Sequence, residues 1–110
     1  MSEFYKPEKI DRIHFSLGQT VMTSGVMAHI NRKDEIEAEE YEGEIMRCLL
    51  RHMDNDWGDL PEGDWLMNDE AVRSGDDRIF SAYHLLDGEK LYIITEWDRS
   101  VTTILFPSEY

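Results

Sequence analysis

A chain of 110 residues can bury one modest core and is too short for two domains, and 41% hydrophobic residues with twelve aromatics mark it as a folding sequence rather than a disordered one. Its net charge of −13 sits in one stretch: residues 34–77 carry sixteen acids against Arg47, Arg51 and Arg73, while the remaining 66 residues balance eight acids with eight bases. A field of one sign on part of a small protein repels phosphate and attracts basic surfaces, so direct nucleic-acid binding is excluded and a basic protein surface becomes the expected partner.

The chain opens on a polar lead, residues 2–11, that is expected to fray; the rest reads as a single unit within residues 1–110. Ile13, Phe15 and Leu17 alternate with His14 and Ser16, and Val21 and Thr23 follow Gly18. This predicts a strand over 13–23 with a bulge or bend at the glycine. Ser24 is the expected N-cap of a short helix over 26–32.

The strongest periodicity lies at 35–53. Tyr41, Ile45, Cys48, Leu49 and His52 recur at helical spacing, with acids in the first half and Arg47, Arg51 and His52 in the second, an order that suits the helix dipole. Asp54, Asn55, Asp56 and Gly58 break this helix. Asp59, Leu60 and Pro61 resemble a helix start, which predicts a third helix over 61–74 stopped by Gly75.

After Gly75 the period becomes two. RIFSAYHL (78–85), LYIITEW (91–97) and VTTILF (101–106) predict three antiparallel strands, the first two joined at Asp87-Gly88. The second turn, through Asp98, Arg99 and Ser100, contains no glycine. Pro107 ends the last strand. The expected architecture is α+β: a three- to four-stranded antiparallel sheet with two or three helices packed on one face.

Candidate chemistry is sparse. Cys48 is the only cysteine, which excludes an intrachain disulfide, and its place on the apolar stripe predicts a buried, inert thiol. His52, Asp54, Asp56 and Asp59 surround Trp57, but counting from Asp54 puts Asp59 and Trp65 where a calcium loop needs Gly and Glu. No metal is expected there, no cofactor motif is present, and Trp57 is expected in the core. His14 and His29 show no pairing signal. Asn68 and Asp69 are candidates to bridge from the third helix to the loop below. No apolar run is long enough to cross a membrane and no signal peptide is evident, so a cytoplasmic protein without a membrane partner is expected.

Two surfaces could carry function. The acids Asp34, Glu35, Glu37, Glu39, Glu40, Glu42 and Glu44, with Asp54, Asp56, Asp59, Glu62 and Asp64 as a second group, could occupy a basic groove by spacing carboxylates about 6 Å apart, as a phosphate ladder does. Their plainer role is a solubilising helix face. Arg78, His84, Glu96 and Arg99 could instead gather on the C-terminal sheet as the base, acid and arginine of a small hydrolase or ribonuclease.

From Phe15 onward the chain resembles a family of small bacterial proteins carried by plasmids, phages and integrated elements, often named plasmid-related proteins. The resemblance runs through LGQTVMTSGV (17–26), LLRHMDNDWGDL (49–60), NDEA (68–71), RIFSAYHL (78–85) and, most specifically, IITEWDRSVTTILFPSEY (93–110). Residues 31–43 are longer and more acidic than the family pattern. The family implies no chemistry, but its setting on mobile elements implies conflict with a host. The reading is therefore a non-enzymatic acidic binding protein that inhibits a nucleic-acid-directed host defence. A hydrolase or ribonuclease and an antitoxin-like module are the alternatives.

Overall fold

Among the described residues, four strands and three α-helices run as β1 (Gln19–Met22), α1 (Ser24–Asn31), α2 (Glu35–Met53), α3 (Glu62–Ser74), β2 (Ile79–His84), β3 (Lys90–Thr95) and β4 (Val101–Leu105), with a closing 3-10 turn at Pro107–Glu109. The structure is a computed structural model describing residues 4–7 and 12–110. The frayed lead expected over 1–11 therefore falls mostly outside the described residues. Within it, the Tyr5 amide donates to the Leu60 carbonyl at 3.0 Å and the Tyr5 ring meets Trp65 edge-on.

The fold is α+β, as the change of period from helical to alternating implies. The sheet order is β1-β4-β3-β2. Strands β2, β3 and β4 form the expected antiparallel meander, but β1 pairs in parallel with β4, Gln19 opposite Val101, so the sheet is mixed. The cause is topological: β4 follows β1 only after three helices and a hairpin, and so long a connection allows parallel pairing. No local pattern in 19–22 announces it.

Helix α2 runs over the predicted span. Asp34 caps it, its carboxylate accepting the Glu37 amide at 2.8 Å. The stripe Tyr41, Ile45, Cys48 and Leu49 is buried against Tyr83, Leu91, Ile93 and Ile104, with Val26 and Ile30 of α1 closing the same core. Burial pushes the Cys48 thiol up to about 11, so it is an un-ionised packing residue.

Three local expectations change. The strand predicted over 13–23 shrinks to Gln19–Met22, because Ile13 gives its backbone amide and carbonyl to the side chain of Asn55 and Phe15 packs edge-on against His52. Gly18, at φ +63, passes so close to the β3–β4 turn that a Cβ would lie 2.3 Å from the Ser100 carbonyl oxygen. Thr23, not Ser24, caps α1; its hydroxyl oxygen accepts the Val26 amide, and the Glu109 carboxylate takes the Thr23 hydroxyl at 2.7 Å and the Gly25 amide at 3.1 Å.

The third change concerns α3, which starts at Glu62 behind Pro61 and ends at Gly75 in the left-handed region. It lies along the outer edge of β2, and α1 and α2 are the two helices over one face, within the two or three expected. There the Asn68 amide takes both backbone groups of Phe80, at 2.7 and 2.9 Å. Farther along, Trp57 and Asp59 take both backbone groups of Ala82, and the Asp59 carboxylate accepts the His84 amide at 3.0 Å. An exposed strand edge is thus satisfied by side chains and one loop, which blocks pairing with another chain. Asp59 serves this edge and does not cap α3. Trp57, Leu60, Trp65, Ala71 and Val72 fill a second core against Ile79 and Ala82.

Candidate functional site

The C-terminal half of α2 delivers His52 to the sheet with no exposure to solvent. Its Nδ1 meets the Ser81 hydroxyl, its Nε2 lies 2.9 Å from Thr95 Oγ1, Thr95 meets Thr102 at 2.7 Å, and Thr102 ends the chain on the Leu17 carbonyl at 2.7 Å. A carbonyl only accepts, so every proton is fixed in turn. Thr102 donates to Leu17, Thr95 to Thr102, His52 Nε2–H to Thr95, and Ser81 to His52 Nδ1. The imidazole is neutral, and burial pushes its pKa down to about 3. With Ser81, Thr95 and Thr102 also fully enclosed, this network is a structural tie.

The acids around it are likewise committed. Asp56 receives Arg51 at 2.8 Å, Asp59 receives His84 Nδ1 at 2.7 Å, and Asp69 accepts the indole N–H of buried Trp57 at 2.9 Å. The bridge expected of Asn68 and Asp69 is thus present, from α3 to both the loop and the sheet edge. Among the described residues no group of three or more His, Cys, Asp or Glu is arranged to hold a metal ion. No helix among them is long and apolar enough to cross a membrane.

Arg78, His84, Glu96 and Arg99 are not gathered. Arg78 precedes β2 and His84 is its last residue, six residues on, roughly 20 Å along a strand. Register puts Glu96 and Arg99 at the Arg78 end, since Ile79 pairs with Thr95. Arg78 donates to the Tyr110 hydroxyl, and Tyr110 packs edge-on against Phe80 and Tyr92 on the side of the sheet away from α2. Arg99 takes the left-handed conformation that the glycine-free turn requires, at φ +60, and its guanidinium donates to the carbonyls of Ala71, Asp77 and Glu96. Each of the four has a structural partner or stands apart from the others. They supply no acid, base and anion-stabilising group around one point.

The N-terminal half of α2 differs. Glu35, Glu37, Glu39, Glu40 and Glu42 are exposed, and among the described residues none of them has an ion-pair partner. Glu44 is partly buried and accepts the Leu86 amide at 2.8 Å, joining the helix to the β2–β3 hairpin. Between them lies a groove of about 380 Å³ lined by Lys33, Glu37, Glu40, Tyr41, Glu44 and Arg47, with Leu86 and Asp87 across it. Tyr41 is only 6% exposed, and its buried hydroxyl lies beside the Asp87 carboxylate without a hydrogen bond of ordinary geometry. Burial, then the charges of Asp87 and Glu89, the contact with the Asp87 carboxylate and the charge of Glu44, raise its pKa well above the usual phenol range, so it keeps its proton.

The second acidic group is split. Asp54, Glu62 and Asp64 are exposed, whereas Asp56 and Asp59 hold the loop together. Asp64 borders a different groove, beside Met67, Asp77 and the ring of Tyr110. The two groups thus do not form one continuous face. Sequence reasoning located the acids of α2 but not the groove, because Lys33, Leu86 and Asp87 reach it only through tertiary packing. The signal that could have found it was Tyr41, a residue with a polar tip on an otherwise apolar stripe. Comparison with protein-family models, curated proteins and solved structures finds no match to this chain.

Proposed function

We propose that this protein is a non-enzymatic binding module whose acidic half-helix docks on the basic surface of a nucleic-acid-binding protein. The observation that carries this reading is the row of exposed glutamates on α2 without internal ion pairs, whereas Asp56, Asp59 and Asp87 are paired. Carboxylates left facing solvent keep their attraction for lysines and arginines, and a rigid helix presents them at fixed spacing. Farther along α2, Met46, Leu50 and Met53 share one exposed side, so a partner spanning the helix would meet acids first and flexible apolar side chains next.

The resemblance to proteins of plasmids and phages supports a role as an inhibitor of a nucleic-acid-directed host defence, in which the helix takes the place of phosphates. The test is affinity capture from a host lysate with the wild type and with a variant carrying Glu35→Lys, Glu37→Lys, Glu39→Lys and Glu40→Lys. The wild type should retain a basic protein at low salt, release it as salt rises, and lose it to added nucleic acid, because both ligands would use the same cations. The variant should retain nothing. Retention by the variant, indifferent to salt and nucleic acid, would return the glutamates to a solubilising role.

A further inference from the structure

We propose that the solvent face of α2 is a self-association seam through which two copies of this chain pair antiparallel; the pairing stands independently of the docking role assigned above and competes with it for the same helix. Ile36, Glu39, Gly43, Met46, Leu50 and Met53 recur at alternating intervals of three and four, the repeat that keeps one stripe turned toward a partner helix. This stripe faces away from the buried one of Tyr41, Ile45, Cys48 and Leu49: Ile36 is 72% exposed, Met46 53%, Leu50 52% and Met53 43%. A single exposed apolar side chain is ordinary, but four in one register along a helix form a continuous apolar surface.

Gly43 sits in the middle of the stripe. Glycine inside a helix costs stability, and the fold does not ask for one here, since a Cβ would meet only the tip of the exposed Arg47 side chain, at 3.7 Å. The space it leaves lies on the outside, where a second helix can come close and seat a large side chain. Antiparallel pairing centred between Gly43 and Met46 does this. It lays Met46 of each copy on Gly43 of the other and Ile36 on Met53. Glu39, the one charged member, falls beside Leu50, where a polar residue lowers affinity and fixes register.

The charges select a second copy, in this orientation. Glu40 and Arg47 stand on one flank of the stripe, both exposed and without an ion pair among the described residues. In the antiparallel pair Glu40 of each copy faces Arg47 of the other, whereas a parallel pair sets the acids of one first half against those of the other. With a net charge of −13 on each copy the dimer is weak and forms at high protein concentration, so at dilution α2 is free for a basic partner.

The experiment is sedimentation equilibrium of the full chain over a wide concentration range, at low and high salt. A monomer–dimer equilibrium is expected, and it should tighten as salt rises, because salt screens the repulsion between two acidic chains and leaves the apolar seam; a complex with a basic partner should weaken under the same change. Leu50→Glu should abolish the dimer while the circular dichroism and melting of dilute protein stay unchanged, since that side chain is half exposed. Glu40→Arg should weaken it about fivefold, the worth of two exposed ion pairs, even though it makes the chain less acidic, and adding Arg47→Glu should restore it. A chain still monomeric at millimolar concentration, a dimer untouched by Leu50→Glu, or a double exchange that restores nothing would overturn the antiparallel seam. Partner capture by a chain that never dimerises would sink this pairing alone, and a seam-dependent dimer that captures no basic protein would sink the docking role alone.

Discussion

From Cys48 onward α2 is internally paired: His52 is tied to Ser81 and Thr95, Arg51 holds Asp56, and Leu49 is packed against the sheet. In its first half the same helix leaves five exposed glutamates without an ion-pair partner among the described residues. Helix geometry is common to both halves, so the difference lies in what the rest of the fold brings to them. Strands β2, β3 and β4 supply hydroxyls to one end of α2. At the other end, α1 and the hairpin tip leave an open groove. Burying a polar group costs free energy unless it is paired, so the enclosed half of α2 is paired, whereas the exposed carboxylates of its first half are satisfied by water.

Leu49 lies at the centre of the packed half. Leu49→Ala should lose about 2 to 5 kcal/mol, because a buried side chain leaves a cavity that a sheet cannot collapse into. A melting temperature equal to that of the wild type would show that the packed half is not packed as described.

His52→Leu is next. It strands the Ser81 hydroxyl in a dry interior, removes the donor to Thr95 Oγ1, and should cost about 2 to 4 kcal/mol in chemical denaturation. The wild type also carries a pH signature. Burial lowers the His52 pKa to about 3 from its ordinary 6.5. Below pH 6.5 the unfolded chain therefore takes up a proton that the folded chain refuses. Stability contributed above 6.5 is lost as pH falls toward 3, by up to about 1.4 kcal/mol per pH unit from this group. His52→Leu should remove that share of the slope; an identical pH profile in the two proteins would mean that the histidine is accessible.

The acidic half should respond weakly. Glu35→Gln with Glu39→Gln and Glu42→Gln should change stability by no more than about 0.5 kcal/mol per site. Its direction is upward at low salt, because like charges one turn apart repel, and the gain should fade as salt screens them. A large loss on neutralisation would reveal internal partners for these glutamates and erase the contrast between the halves.

Much of this contrast was legible in the sequence, at the positions where one helical period decides the outcome. The stripe from Tyr41 to His52 and the sign reversal along α2 follow from spacing alone, and the meander from β2 to β4 follows from alternation around Asp87-Gly88. What spacing could not reveal was assembled across the chain. Asn68 closing the edge of β2 is twelve residues from Phe80, and Thr102 meets Leu17 eighty-five residues away. The parallel pairing of β1 and the groove between Tyr41 and Leu86 are of the same kind. The residues named for the hydrolase alternative stay apart for a related reason: side-chain alternation puts Arg78 and His84 on one side of the sheet, yet a strand's length separates them.

In the proposed function the first half of α2 is the docking surface and the second half is structural. Amide hydrogen exchange on the complex formed with the captured partner tests it most directly. Slowed exchange should be confined to residues 36–45 and to the hairpin tip at 86–89, with residues 48–53 and the closed edge of β2 unchanged between free and bound protein. Protection at β2 or around Tyr110, with residues 36–45 exchanging as in the free protein, would contradict it.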